Sequence, residues 1–456
     1  METVMTVLAT MPGQLMAVPV EFYIFGLTLL GVALFHHRTL TVALCGLATT
    51  VVYKLIFTGF AEGTGFAGLA AHADHEAVIL SNLMLLLLGF ALLANQFERS
   101  NIPEAMPRVL PDGWLGGLTL LALVFVLSAF LDNIAAAIIG GVVARHVYSG
   151  KVSIGFLASI VAAANAGGAG SVIGDTTTTM IWISGVSPLV VLKAFIASVV
   201  AFAIFGVLGA LQQHRYHPIQ AHNAADSPKI DPTRAVIVGL ILATLLAVNF
   251  AGNAWYPEQQ DAAPWLGLGL WAAVLITAMV RAPQWSVLPE AAKGALFLVS
   301  LVATASLMPV ESLPVASWQT AFGLGFLSSI FDNIPLTALA LKQGGYDWGI
   351  LAFAVGFGGS MMWFGSSAGV ALSGLFPQAR SVASWLRHGW YVPIAYVAGF
   401  AAMLALTGWQ PTTTRAERPP QSQGEAAPPK VVDDALHAVG ETWRNLAGRI
   451  GQDGLR

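Results

Sequence analysis

Long apolar runs separated by short polar breaks dominate the chain. Runs of about 17–25 apolar residues are long enough to cross a bilayer as helices. They fall at Ala17–Phe35, Thr39–Phe60, Ala77–Asn95, Pro188–Leu211, Ala235–Ala251, Pro264–Val280, Lys293–Met308 and Trp390–Leu406. Four further runs are interrupted. Gly113–Val147 and Ala321–Leu341 are broken by Ser, Asp and Asn, whereas Ile154–Ser184 and Trp348–Leu375 are broken by glycines and hydroxyl residues. At about 1.5 Å per residue, Ala321–Leu341 is too short for two crossings. The Asp-Asn runs therefore predict helical hairpins that enter and leave on one side. The glycine-rich runs predict interrupted transmembrane helices.

The basic residues give this pattern a direction. With the amino terminus outside, the inner connections hold Arg38, Arg99, Arg108, Arg145, Lys151, Arg215, Lys229, Arg234, Arg281, Lys293, Arg380 and Arg387. The outer side holds Lys193 and Lys342 near helix ends, and the loops Ala61–Glu76 and Gly252–Ala263 have no Lys or Arg. The count works only if both hairpins are re-entrant, the first from inside and the second from outside. The expected fold is an all-α polytopic membrane protein with an inverted-topology repeat, two re-entrant hairpins and two interrupted transmembrane helices. The first repeat is expected over residues 1–211, with its hairpin at 113–147 and broken helix at 154–184. A cytoplasmic linker follows at 212–234. The second repeat covers 235–409, with its hairpin at 321–341 and broken helix at 348–375. The polar tail, 410–456, reads as largely disordered, with a weakly amphipathic stretch at Val431–Ile450.

Composition agrees with this picture. Of 456 residues, 56% are hydrophobic and 10% charged, and mean hydropathy is +0.71. Soluble domains carry about 25% charge. The first run lacks a basic flank and a small-residue cleavage pattern, so it reads as the first transmembrane helix and not as a signal. Cys45, the one cysteine, permits no disulfide within the chain and is expected to pack in the core. Nothing points to nucleic acid, and no cofactor is implied.

The chemistry lies at the breaks. Ser128-Ala-Phe-Leu-Asp132-Asn133-Ile-Ala reads against Ser328-Ser-Ile-Phe-Asp332-Asn333-Ile-Pro. A carboxylate at membrane depth costs several kcal/mol unless it is solvated, paired or bound to a cation, on the order of the transfer penalty for an ionised residue. Retaining one in each half is the mark of a duplicated transport site. Each hairpin is followed by a second motif. The first is Asn165-Ala-Gly167-Gly168-Ala-Gly-Ser-Val-Ile-Gly174-Asp175-Thr176-Thr177-Thr-Thr; the second is Gly356-Phe-Gly358-Gly359-Ser360-Met-Met-Trp-Phe-Gly365-Ser366-Ser367-Ala-Gly. Glycine permits unwound backbone, and unwound backbone at membrane depth is tolerated where it lines a cavity or is buried in protein. Close packing of helices through small residues is the alternative reading. Hard oxygen ligands suit a hard monovalent cation or a proton, with Asp132, Asp175 and Asp332 as candidate sodium ligands. Lys54 reads as a snorkelling lysine. His72, Asp74, His75 and Glu76 read as a solvated cap at the outer start of the third helix, with a metal or pH-sensing site as the alternative.

Asn165-Ala-Gly-Gly-Ala…Ile-Gly-Asp-Thr-Thr-Thr-Thr-Met resembles the signature of D-type sodium/proton antiporters. Leu131-Asp-Asn-Ile and Phe331-Asp-Asn-Ile-Pro-Leu-Thr resemble the hairpin motifs of the ion transporter superfamily, which also holds citrate transporters, arsenite permeases and divalent-anion:sodium symporters. The resemblance covers about residues 17–406. The chain departs from it at Ala135, where a proline is expected, and at Gly170-Ser171. It implies that hairpin tips and interrupted helices enclose the substrate, in a homodimer, with Asp132, Asn133, Asp175, Asp332 and Asn333 as binding residues.

Three transport readings stand beside each other. Sodium (or lithium)/proton antiport across the cell (inner) membrane fits three acids with no arginine among the motifs. Uptake of citrate or another carboxylate would bring a dianion beside three aspartates, against heavy repulsion. Arsenite efflux would tolerate the site but finds a soft ligand only in the distant Cys45. An intramembrane enzyme is a fourth class, and the chain has no His-Glu-x-x-His and no Gly-x-Ser-x-Gly.

Overall fold

A computed structural model describes residues 18–35, 38–105, 110–219, 229–255 and 262–414. The stretch Val431–Ile450 and linker residues 220–228 lie outside them. The described chain is helical, with a single isolated bridge, Phe60 to Gly63, as its only extended pairing. We number the principal helices α1 (Val20–Leu34), α2 (Thr39–Tyr53), α3 (Gly65–Glu98), α4 (Trp114–Ser128), α5 (Asn133–Val147), α6 (Ile154–Ala169), α7 (Thr176–Ile183) and α8 (Ala194–Tyr216). The second half continues with α9 (Pro232–Trp255), α10 (Trp265–Ala278), α11 (Leu288–Ser306), α12 (Trp318–Ser328), α13 (Asn333–Gln343), α14 (Trp348–Gly358), α15 (Ser367–Leu375) and α16 (Tyr391–Thr407).

Among the described residues, four helical stretches are long and apolar enough to cross a bilayer alone: Thr39–Thr58, Gly65–Glu98, Pro188–Tyr216 and Trp285–Ser306. Val382–His388 and α16 pass the same test only as a pair, bent by 61° at the break between them. Large apolar side chains stand exposed around the outside, among them Leu27, Val199, Leu240, Ile276 and Leu406. A soluble monomer avoids such a surface, and lipid requires it. The molecule is therefore an all-helical protein suited to a polytopic membrane setting.

Six helices pack in a row. α1 lies on α2, α2 on α11, α11 on α3, α3 on α10 and α10 on α9. The remaining helices form a second group around α6 and α14, which touch each other. α4 packs on α6 as α12 packs on α14. The second arms of the two Asp-Asn elements cross over: α5 packs on α15, and α13 on α7. α13 also rests against α11, which joins the group to the row.

Local sequence explains where the elements near the site begin. Ser153 caps α6, accepting from the Phe156 N–H. Asp347 caps α14, accepting from Gly349 and Ile350. Ser317 and Thr320 close a capping box at α12. Each satisfies amides left open by a first helical turn. Stacked rings, Phe353 on Phe357 and on Tyr396 at interplanar angles of 11° and 10°, fix α14 against α16.

Three expectations are corrected. The third helix begins at Gly65, so most of the supposed loop Ala61–Glu76 is helical. Its alanines favour helix, and no proline stops it. His72 is consequently a buried side chain within that helix, bonded to Glu62 and to Ser306, while Asp74 and His75 are exposed. Cys45 is exposed and not a core thiol. Lys54 is 9% exposed and does not snorkel. α8 runs on to Tyr216 and α9 starts at Pro232, so helix enters both ends of the segment 212–234.

Candidate functional site

The two Asp-Asn motifs fold alike. α4 and α12 end at Ser128 and Ser328, and their last carbonyls are closed by tight turns, Leu131 N–H to Leu127 O at 2.8 Å and Phe331 N–H to Leu327 O at 2.9 Å. Asp132 and Asp332 then take nearly the same extended conformation, φ −53°, ψ 140° and φ −54°, ψ 143°, and the next helix starts at the asparagine. Their carboxylates differ in company. Asp332 accepts from the Ile334 N–H at 3.1 Å and from the Ser367 hydroxyl at 2.7 Å. Asp132 makes no side-chain cap bond.

The glycine motifs also fold alike, for a reason different from the one expected. Gly167 and Gly358 do not take positive φ. They are required by close approach. A Cβ at Gly167 would stand 2.0 Å from the Phe125 carbonyl oxygen, and one at Gly358 would stand 2.2 Å from that of Gly325. The same holds where the chain re-enters helix: a Cβ at Gly174 would stand 2.0 Å from the Ser128 carbonyl oxygen, and one at Gly365 would stand 2.5 Å from that of Ser329. Gly168 and Gly359 lie on the inner side of the same breaks, against Gly174 and Gly365. Hydroxyls complete the seam. Ser128 donates to the Ala164 carbonyl at 2.5 Å, and Ser328 to that of Val355 at 2.7 Å.

The break in the first half is held by its own threonines. Thr178 and Thr179 donate to the carbonyls of Ser171 and Val172, at 2.6 and 2.9 Å. These groups would otherwise be orphaned in a dry interior. Asp175 caps α7 by accepting from the Thr177 N–H at 3.2 Å. Ser366 does the equivalent for α15, accepting from Gly369 at 3.3 Å. Among the described residues the buried Thr177 hydroxyl has no hydrogen-bond partner.

Hydrogen bonds between halves bring most of the candidate residues together. Asn133 donates to Asn165 Oδ1 at 3.1 Å, and Asn165 Nδ2 donates to Ser360 at 2.9 Å and Ser366 at 3.1 Å. Asn333 donates to Asp175 Oδ2 at 3.2 Å. Between them is a cavity of about 110 Å³ lined by Asp132, Asn133, Asp175, Thr176, Asn333 and Ser367. Leu87, Phe90, Ala91 and Ala94 of α3 and Leu298 of α11 close it on the side of the row. These wall residues carry no sequence signal beyond being apolar. No lysine or arginine lines the cavity. Asn165, Ser360, Ser366 and Asp332 are absent from the lining, though Asn165 and Asp332 are bonded to the lining residues Asn133 and Ser367.

The three aspartates therefore play unequal parts. Asp132 and Asp175 reach the cavity, and Asp332 stands behind Ser367. Among the described residues no three His, Cys, Asp or Glu side chains converge as on a metal ion. What the cavity offers is two carboxylates, two amides and two hydroxyls, all hard ligands suited to a hard cation.

No family model matches the chain. It is 28% identical to sodium/proton antiporter 1 of Arabidopsis thaliana over 73% of its own length and 63% of that protein's. Its similarity is to proteins named sodium/proton antiporters. A sodium/proton antiporter named NhaD from Vibrio parahaemolyticus is 25% identical over 79% of this chain and 97% of the relative. Another NhaD, from Alkalimonas amylolytica, is 23% identical over 74% and 78%. The chain spans less than two thirds of the plant relatives, 63% of antiporter 1 and 66% of antiporter 2.

Proposed function

We propose that this protein exchanges sodium or lithium for protons across a membrane. The carrying observation is the cavity holding Asp132 and Asp175 with no cationic residue in its wall. A cation and a proton can each satisfy a carboxylate there, but not both at once. Sodium entry then expels a proton, and a proton returning from the other side expels sodium. Such competition makes apparent sodium affinity improve as pH rises. The names of the relatives support the same reading.

The architecture fits alternating access. The helix row, the paired seams at Gly167 and Gly358, and the crossed packing of α5 on α15 and α13 on α7 support two repeats of opposite topology. In this reading α4–α5 and α12–α13 are the re-entrant hairpins, entering from opposite faces. Location in the cell's inner membrane and assembly as a homodimer belong to the same proposal. Carboxylate uptake is disfavoured, because a cavity of 110 Å³ is below the roughly 300 Å³ at which small-molecule pockets begin.

Reconstitution in liposomes with an imposed pH gradient tests the function. Sodium, lithium, potassium and citrate are added separately while lumenal pH and labelled citrate are followed. Sodium or lithium should collapse the gradient, and potassium and citrate should not. Citrate accumulation without sodium-linked proton movement would overturn the reading.

A further inference from the structure

A second cavity, about 620 Å³, lies at the ends of α1, α2, α11 and α13 and shares no lining residue with the aspartate cavity. At its wall α2 gives way to a π turn, Lys54–Thr58, an irregularity that concentrates at functional sites. Lys54 opens that turn. It is 9% exposed, yet among the described residues it makes no hydrogen bond or ion pair. Its Nζ lies 5.9 Å from the centre of the Phe60 ring, which compensates a buried ammonium only in part. Lys342 reaches the same cavity from the end of α13 and donates to the Ser306 carbonyl.

Two acids share this wall, Glu21 and Glu311, and among the described residues neither pairs with a lysine. Glu21 accepts from Thr58 at 2.9 Å, Glu62 pairs with His72 at 3.0 Å, and Glu311 is exposed. Neither lysine joins an ion pair among the described residues. Withdrawing an ammonium from water without an anion is costly. The wall thus offers two ammonium groups, from different elements, to whatever fills the space.

We propose that this cavity is an anion site whose ligand is a phosphate-type oxyanion held between Lys54 and Lys342. Lysine binds phosphate as a point charge and needs no planar fork geometry, and two lysines suit a doubly charged group. Val18, Val20 and Met308 along the same wall allow the oxyanion to be free or the headgroup of a lipid. Lys54 belongs to the helix row, whereas Lys342 belongs to the second Asp-Asn element, whose Asn333 bonds Asp175. An anion between them ties that element to the row.

The test uses the purified full-length protein in a neutral detergent, titrated with inorganic phosphate by calorimetry. A second arm compares thermal stability in phosphatidylglycerol and phosphatidylcholine vesicles. Lys54→Gln and Lys342→Gln should each weaken the response about tenfold or more, the size of one lost charge-assisted contact. Lys54→Arg should retain it, which separates charge loss from misfolding. Phosphate binding identifies a free oxyanion, and stabilisation by phosphatidylglycerol alone identifies a headgroup. No response in either arm, or a response that both glutamine variants keep, overturns the proposal.

Discussion

Alanine at Gly167 places a methyl group where the Phe125 carbonyl already stands. An ideal Cβ there lies 2.0 Å from that oxygen, 2.8 Å from its carbon and 3.1 Å from the Phe125 Cα. All three are backbone atoms, so no rotamer change makes room. α6 and α4 must part by roughly an ångström before ordinary contact distances return. The Ser128–Ala164 hydrogen bond joins the same two helices and is lost or stretched with them. Overpacking of this kind costs about 1–3 kcal/mol, the hydrogen bond adds about 1, and alanine's helix propensity returns about 1. The net loss is about 1–3 kcal/mol, toward the upper end because the obstruction is rigid. Gly358→Ala meets the Gly325 carbonyl at 2.2 Å and should behave alike. Gly239→Ala and Gly294→Ala meet nothing within 4 Å and should be neutral or slightly stabilising. Thermal unfolding of the purified protein, with exchange in liposomes, measures all four. Parent-like melting and exchange in both Gly167→Ala and Gly358→Ala would refute the close approach of α6 to α4 and of α14 to α12.

Other substitutions separate the site's parts. Asn165→Leu removes bonds to Asn133, Ser360 and Ser366 at once, leaving buried polar groups unpaired at a cost of about 2–3 kcal/mol; a melting curve matching the parent's would contradict the network. Asp332→Asn should raise the sodium concentration for half-maximal exchange about tenfold without abolishing it, since it removes one nearby charge but no lining group; complete loss with normal folding would instead make Asp332 a direct ligand. Ser367→Ala removes a lining hydroxyl as well as the 2.7 Å partner of Asp332, so it should raise the sodium concentration for half-maximal exchange at least as much as Asp332→Asn. For topology, cysteines replacing the exposed Asp74 and Arg380 should label from opposite sides of the membrane, and labelling of both from outside in intact cells would break the inverted arrangement.

Much of this was legible in the sequence because repetition is legible. The Asp-Asn and Gly-Gly motifs mark where helices end and begin again, and the break between α4 and α5 falls at Asp132-Asn133, where polar residues interrupt the apolar run. Three features were hidden for physical reasons. Gly167 and Gly358 could serve unwound backbone or close contact equally, and only the Phe125 and Gly325 carbonyls decide. The inequality of Asp132 and Asp332 depends on whether a hydroxyl from the other motif arrives, and Ser367 does so in one case. Lys54 in an apolar helix reads the same whether it points to lipid headgroups or into a cavity. Within α3, helix continues through Gly65–Glu76 because nothing stops it, although its polarity suggests a loop.

The central claim is that proton and cation compete for Asp132 and Asp175. Adding sodium to the purified, weakly buffered protein and counting protons released tests it without transport. The parent should release protons on addition of sodium and not of potassium, and Asp132→Asn and Asp175→Asn should each reduce or abolish the release while folding normally. Sodium binding with no proton release from the parent, or undiminished release from both variants, would contradict the account.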